Sequence, residues 1–256
     1  MLLEDKVCVI VGAGSLRGIG YATADLFCEH GAKVVVVDIA MNDELTKSIT
    51  SSIEERLQRS VSVHGLRCDI AKAQDCEKLV KDVMALHGTI DCLVNSAAVV
   101  KAQPLLDIRG EDLDVVLDVN LKGAFHLCQS VLKVFSARRA GVIVNVASVA
   151  AQRGGGLVGG AHYAASKGGV ISLTRTIARE FGPSGIRANA ICPSMTETGM
   201  VDGFPEEKFR EIVSSIPLRR VAKPAEIAGA CLFLASDLAS YVTGATLDVN
   251  GGSHIH

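Results

Sequence analysis

The chain reads as a single α/β domain over residues 1–256, a doubly wound, seven-stranded parallel sheet with helices on both faces. Three observations predict this. Short runs such as Val34-Val35-Val36-Val37 are apolar at every position and do not alternate, so both faces of the strand are buried, as in a helix-covered parallel sheet. These runs alternate with longer helical stretches along the whole chain, the βαβα order of a doubly wound domain. The first run leads into a glycine-rich turn followed by a helix. A chain of 256 residues with 48% hydrophobic content can fill one sizeable core.

Taken in order, a strand is expected at 6–11 and a helix at 19–30 after the glycines. Strand 33–37 holds the run of four valines, and helix 42–59 follows it. Strand 61–66 leads to helix 73–87, and strand 91–94 to a long helix at 111–136. The run Val142-Ile143-Val144-Asn145-Val146-Ala147 reads as a buried fifth strand, followed by a helix at 161–181. Strand 187–191, helix 224–235 and strand 246–249 complete the pattern. Gly154-Gly155-Gly156 and Gly159-Gly160 make a local loop, with no domain linker in view. Residues 193–217 break the alternation with Gly, Pro and a short helical piece at 206–214. A long excursion beyond a strand's carboxyl end is a candidate lid.

Composition narrows the function. A formal net charge of −2 argues against nucleic acid or an anionic membrane as partner. No apolar run approaches the roughly 18 residues of a membrane span. The opening Met1-Leu2-Leu3-Glu4-Asp5-Lys6 has no charged-then-apolar leader. The eight cysteines are scattered, without Cys-x-x-Cys, and read as reduced core thiols of a cytoplasmic protein. His254 and His256 lack a third ligand nearby, so no metal site is expected. His162 adjoins Tyr163, but helical neighbours point about 100° apart, so it reads as lining or structural.

The turn after the first strand is Gly12-Ala13-Gly14-Ser15-Leu16-Arg17-Gly18-Ile19-Gly20. Glycines let the backbone approach a pyrophosphate, and the following helix offers unpaired N–H groups. Arg17 stands where the common Gly-x-Gly-x-x-Gly pattern has its third glycine; the spacing that fits is Gly14-x-x-x-Gly18-x-Gly20. Asp38 ends the second strand, 18 residues past Gly20. A carboxylate there accepts hydrogen bonds from a ribose 2′-hydroxyl and repels a 2′-phosphate, which argues for NAD. Arg17 pulls toward NADP, because a guanidinium pairs with phosphate. The carboxylate weighs more, since its charge would sit beside the phosphate itself.

Tyr163-Ala164-Ala165-Ser166-Lys167 carries the chemistry. Residues four apart on a helix share a face. A free phenol, with a pKa near 10, is a poor base at neutral pH. A neighbouring ammonium favours the phenolate and makes the pair a candidate acid–base group for a carbinol oxygen. Ser148, just past the fifth strand, is placed to hold that oxygen.

Together these residues resemble the classical short-chain dehydrogenase/reductase family, with its single Rossmann-type domain, over essentially the whole chain. The motifs are Gly14/Gly18/Gly20, Asp69 after the third strand, Asn95-Ser96-Ala97-Ala98 after the fourth, and Asn120 in a long helix. Ser148, Tyr163-x-x-x-Lys167, Pro193 and Asn250-Gly251-Gly252 complete the set. The resemblance implies that Gly14, Arg17, Gly18, Ile19, Gly20 and Asp38 cradle the coenzyme. Asp69 and Ile70 would contact its adenine, Asn95 and Ala97 its ribose side, and Thr198, after Pro193, its carboxamide. Ser148 and Tyr163 would hold the substrate oxygen while Tyr163 moves the proton. Lys167 would lower the tyrosine pKa and bind the nicotinamide ribose, and Asn120 would hold a relay water. A homotetramer built on the helices at 111–136 and 161–181 and on the last strand is also implied.

Three departures from the family pattern matter. The glycine loop is two residues longer than usual, as in the enoyl reductase branch, but that branch spaces its Tyr and Lys further apart. Carbonyl chemistry is therefore expected over C=C reduction. The stretch from Ser148 to Tyr163 is also two residues longer, which should bulge a glycine loop near the substrate. Ser194 replaces the usual Gly after Pro193. The expected reaction is NAD-dependent interconversion of a secondary alcohol and a ketone, with a small-molecule substrate. A sugar or polyol is favoured, because 4% aromatic content without Trp argues against a large aromatic pocket. A 3-oxoacyl thioester or hydroxysteroid-like alcohol is the alternative. A non-catalytic dinucleotide-sensing protein is disfavoured by the presence of both Tyr163 and Lys167.

Overall fold

The computed structural model describes every residue except 156–157, 200–202 and 204. Among the described residues, seven parallel strands form one sheet in the order β3-β2-β1-β4-β5-β6-β7. They are β1 Val7–Val11, β2 Lys33–Asp38, β3 Val63–Arg67, β4 Cys92–Asn95, β5 Gly141–Val146, β6 Ile186–Pro193 and β7 Thr246–Val249. The chain winds outward from β1 to β3, then returns to place β4 against the other side of β1. This reversal opens a crevice beyond the carboxyl ends of β1 and β4.

The apolar strands do what their uninterrupted pattern predicts. Successive side chains point to opposite faces. Cys8 and Ile10 enter one core with Val34 and Val36, while Val7, Val9 and Val11 enter the other with Val35 and Val37. The first core is closed by α1 (Ile19–Glu29), α2 (Asp43–Leu57) and α9 (Pro224–Ala235), which supply Phe27, Ile49, Ile53 and Ile227. The second is closed by α3 (Ala73–His87), α5 (Gly123–Arg138) and α7 (Ala161–Phe181), which supply Val83, Leu127, Phe135 and Ile177. Each such side chain, fully buried, contributes about 1.5–3 kcal/mol. All eight cysteines are buried and unpaired. Among the described residues, no helix is long and apolar enough to cross a membrane.

The expected long helix at 111–136 is divided. Helix α4 (Gly110–Leu117) passes through a π turn at Asp118–Lys122 into α5. The apolar spacing runs on through the turn, so the side chains give no sign of the changed main-chain register. Such π insertions are frequent at functional sites, and this one carries Asn120. The sequence reading also omits α6 (Ala150–Arg153), a single turn too short to show a period. The excursion after β6 contains α8 (Glu206–Ser215). Both ends of this segment are tied together where Thr196 bridges Ala222. Met195, Ile212, Ile216 and Val221 form a small apolar cluster of their own, apart from the two main cores. Positions 200–202 and 204 of the expected lid, and position 156 of the glycine loop, lie outside the described residues.

Candidate active site

A cavity of about 830 Å³ runs along the crevice from the glycine loop to Tyr163. At its near end, Gly14 N–H donates to the Asp38 carboxylate at 3.0 Å, and Ala40 N–H donates to the other oxygen at 3.0 Å. The loop and the acid at the end of β2 are thereby locked together. Helix α1 starts with Gly18 as its cap, without a capping side chain and without an acidic residue in its first turn. Its leading N–H groups and helix dipole thus suit an anion, as a pyrophosphate requires. Gly20 packs against the loop so closely that a Cβ would lie 2.3 Å from the Gly12 carbonyl oxygen. We expect Gly20→Ala to force the loop apart and destabilise the fold by roughly 1–3 kcal/mol. Denaturant unfolding checks this, with weakened dinucleotide binding as the companion readout.

Gly14, Gly18, Ile19, Gly20 and Asp38 all line this end of the cavity. Arg17 does not. Its side chain is exposed and outside the lining, and its backbone N–H donates to the Ser15 hydroxyl at 3.3 Å. The expected competition between Arg17 and Asp38 is therefore absent from the cavity itself. Asp69 and Ile70, just beyond β3, line the wall beside Asp38. Asp69 accepts from Ala71 N–H at 3.2 Å and pairs with Lys72 at 3.3 Å. Asn95 is buried at the end of β4 and does not line the cavity; its side-chain oxygen accepts from Ala97 N–H at 3.3 Å. This turn presents Ala97 to the cavity in place of Asn95. Pro193 at the end of β6 and Thr198 beyond it line the opposite wall.

Ser148, Tyr163 and Lys167 converge on the middle of the cavity. Ser148 follows β5, and its hydroxyl accepts from Ala150 N–H at 3.1 Å and hydrogen-bonds with the Tyr163 phenol. Lys167 is 3% exposed and donates to the Val146 carbonyl at 2.7 Å. Burial lowers its pKa to about 8. Burial also raises the Tyr163 pKa, and the Ser148 hydrogen bond offsets only part of that rise. The expected lowering of the tyrosine pKa by Lys167 is thus not what the free protein shows. The ammonium is turned to a main-chain carbonyl, and desolvation dominates at both groups.

Asn120 does not reach the cavity either. It is 1% exposed, and its amide accepts from Val99 N–H at 2.9 Å and donates to the Val99 carbonyl at 2.9 Å and to the Ser166 hydroxyl at 3.1 Å. The side chain is committed to tying the segment after β4 to α7. His162 is buried with neither ring nitrogen hydrogen-bonded among the described residues and lies outside the lining, so of the two expected roles only the structural one remains.

The far end of the cavity is largely aliphatic. Val100, Val158, Met195, Ile212 and Ile216 form much of its wall, with Gly154, Gly155 and Gly159 at one edge. The longer loop after Ser148 does border this space, as expected. Sequence reasoning did not single out Arg153, Met195, Ile216 or Ser253, which also line it. For Arg153 the available signal was its position one helical turn past Ser148.

Residues 12–254 match the family described as enoyl-(acyl carrier protein) reductase. An uncharacterised short-chain type dehydrogenase/reductase of Sinorhizobium fredii is 41% identical over 257 residues, covering 100% of both chains. A 3-oxoacyl-(acyl-carrier-protein) reductase of Thermotoga maritima is 40% identical, over 98% of this chain and 99% of its own. A 3alpha-hydroxysteroid dehydrogenase of Mediterraneibacter gnavus is 33% identical, over 99% of this chain and 98% of its own.

Proposed function

Because the chain belongs to the short-chain dehydrogenase/reductase family, a family of oxidoreductases that use a nicotinamide dinucleotide, we propose that it is an NAD(H)-dependent reductase of 3-oxoacyl thioesters or similarly apolar ketones, able to run in reverse on the secondary alcohol. The observation that carries this reading is the meeting of Ser148, Tyr163 and Lys167 in a cavity whose substrate end is aliphatic. The sugar or polyol favoured on composition gives way to the alternative. An aliphatic wall offers such a substrate few hydrogen-bond partners, and two of the relatives are named for an oxoacyl and a steroid substrate. Low aromatic content misleads here, because Val, Ile and Met build the wall.

The residues present fit the coenzyme: an uncapped helix start for the pyrophosphate, Asp38 for a 2′-hydroxyl, and open space from there to Tyr163. When bound, the coenzyme supplies the hydride chemistry. The chain's own task is the oxygen and its proton. Ser148 and Tyr163 hold the carbonyl oxygen, and the Tyr163 phenol, kept protonated by burial, gives its proton as the alkoxide forms. Lys167 would hold the nicotinamide ribose of a bound coenzyme and, when charged, stabilises the phenolate left behind. Asn120 acts as a positioning residue, holding α7 and the segment after β4 in register.

C=C reduction, suggested by the family description, is the second reading. A phenol four residues from its lysine and bonded to Ser148 favours carbonyl chemistry instead. Residues 193–217 act as the lid of the single domain, an assignment supported by their separate apolar cluster. Exposed apolar side chains support a homo-oligomer, a tetramer by resemblance: Val115 and Phe125 on α4 and α5, and Leu238 and Tyr241 near β7. The eight unpaired thiols fit the reducing cytoplasm.

The test is coenzyme absorbance in the near ultraviolet with a 3-oxoacyl thioester, a steroid ketone and a ketose, each offered with NADH and NADPH. Oxidation of NADH by the thioester or steroid is expected. Turnover confined to the ketose, or to an enoyl thioester in a parallel reaction, would replace this reading. For Asp38→Ala we expect the preference for NADH over NADPH to shrink about tenfold or more, since the variant removes a charge that repels the 2′-phosphate. The ratio of the two kcat/KM values measures it, and an unchanged ratio would show that Asp38 does not face the ribose.

A further inference from the structure

Four charged side chains line the cavity among the described residues: Asp38, Asp69, Lys167 and Arg153. The first two lie at the dinucleotide end, at the carboxyl ends of β2 and β3. Lys167 is turned inward to the Val146 carbonyl. Arg153 alone belongs to the substrate end. It closes α6, the single turn that follows Ser148, and stands where Gly154, in a left-handed conformation at φ +86°, turns the chain away. Its side chain is exposed and, among the described residues, makes no hydrogen bond or ion pair. Asp248, the acid beside this turn, is occupied, since it accepts from Gln152 at 2.8 Å and pairs with His256 at 3.2 Å.

An unpaired guanidinium beside an aliphatic cavity is matched by a ligand with two parts, an apolar body and an anionic end. Building on the carbonyl reductase reading above, we infer that Arg153 is a specificity determinant that holds an anionic group, phosphate ester or carboxylate, of an otherwise apolar substrate whose carbonyl lies at Ser148 and Tyr163. The planar guanidinium suits either anion, because each accepts two parallel N–H donors. Val100, Met195 and Ile216 line the same cavity and take the apolar part of the substrate. The dinucleotide's own phosphates are served elsewhere: the glycine loop follows β1, and β4 lies between β1 and β5.

The experiment uses matched substrate pairs with the unaltered protein, Arg153→Gln and Arg153→Lys. One pair is a 3-oxoacyl thioester of coenzyme A against the same acyl group on N-acetylcysteamine, which lacks phosphate. The other is a steroid ketone with a side-chain carboxylate against its methyl ester. The readout is the ratio of kcat/KM for the anionic member to that for the neutral member. We expect Arg153→Gln to lower this ratio about tenfold, the size of one charge-assisted contact, chiefly through KM. Arg153→Lys should restore part of it, and added salt should lower the ratio of the unaltered protein. Loss confined to the phosphate pair identifies a carrier-bound thioester, and loss confined to the carboxylate pair identifies a free acid. An unchanged ratio in both pairs overturns the anion site while leaving the reductase reading intact. Failure of the unaltered protein to reduce any of the four removes that reading, and the anion site with it.

Discussion

Tyr163→Phe is expected to lower turnover by about 10²–10⁴-fold while changing coenzyme affinity little. The substitution removes one hydroxyl and keeps the ring. The phenol is hydrogen-bonded to Ser148, and burial keeps it protonated at neutral pH. It is therefore ready as the acid for carbonyl reduction. In the reverse direction it must first lose that proton. Reduction should weaken as pH rises toward the range where the phenol loses its proton, while alcohol oxidation should strengthen over the same range. Steady-state rates in both directions check the sign. Parallel slopes would show that Tyr163 is not the proton carrier, and near-full activity in Tyr163→Phe would remove the mechanism.

Lys167→Met should separate activity from stability. Turnover should fall by at least about 10²-fold, because the phenolate loses its cation and the ribose its anchor. The free protein should nonetheless remain as stable at neutral pH, or become more so. Lys167 is buried with a pKa of about 8 against an ordinary 10.5, a gap worth roughly 3 kcal/mol of desolvation against the charged form. Removing it relieves that cost and leaves the Val146 carbonyl without its donor, a loss of about 1–3 kcal/mol. The linkage gives the pH course. Between about 8 and 10.5 the unfolded chain binds more protons at this site than the folded one, so the unaltered protein gains stability as pH rises through that window. Any advantage of Lys167→Met should shrink over the same interval and be full below it. Melting curves of both proteins across this range test the claim. A deep loss of stability at neutral pH would show that the ammonium braces the fold.

The sheet was legible because its signals are local. Valine at four successive positions forces two-sided burial, and β7 and helices α3, α7 and α9 fall within the bounds read from sequence. The π turn was hidden, because Asp118–Lys122 changes main-chain pairing without changing which side chains are apolar. The positions along the chain brought Ser148, Tyr163 and Lys167 to one cavity, but their electrostatics were not readable. Spacing shows that Tyr163 and Lys167 are neighbours; only burial and the Val146 carbonyl show that desolvation outweighs their attraction. Arg17, Asn95 and Asn120 fail to line the cavity for a related reason. Residue type tells what a side chain can bond, and the turn geometry decides where it points. The substrate end was misread because a count of aromatic residues says nothing about an aliphatic wall.

Hydride transfer to the carbonyl carbon is tested most directly with a label. The protein is given a 3-oxoacyl thioester and NADH carrying deuterium at the transferable ring position, and the product is analysed by mass spectrometry. A single deuterium on the carbinol carbon is expected, formed with the unaltered protein and nearly lost with Tyr163→Phe. Deuterium on an acyl carbon of an enoyl thioester offered in its place, with the ketone left unreduced, would contradict it.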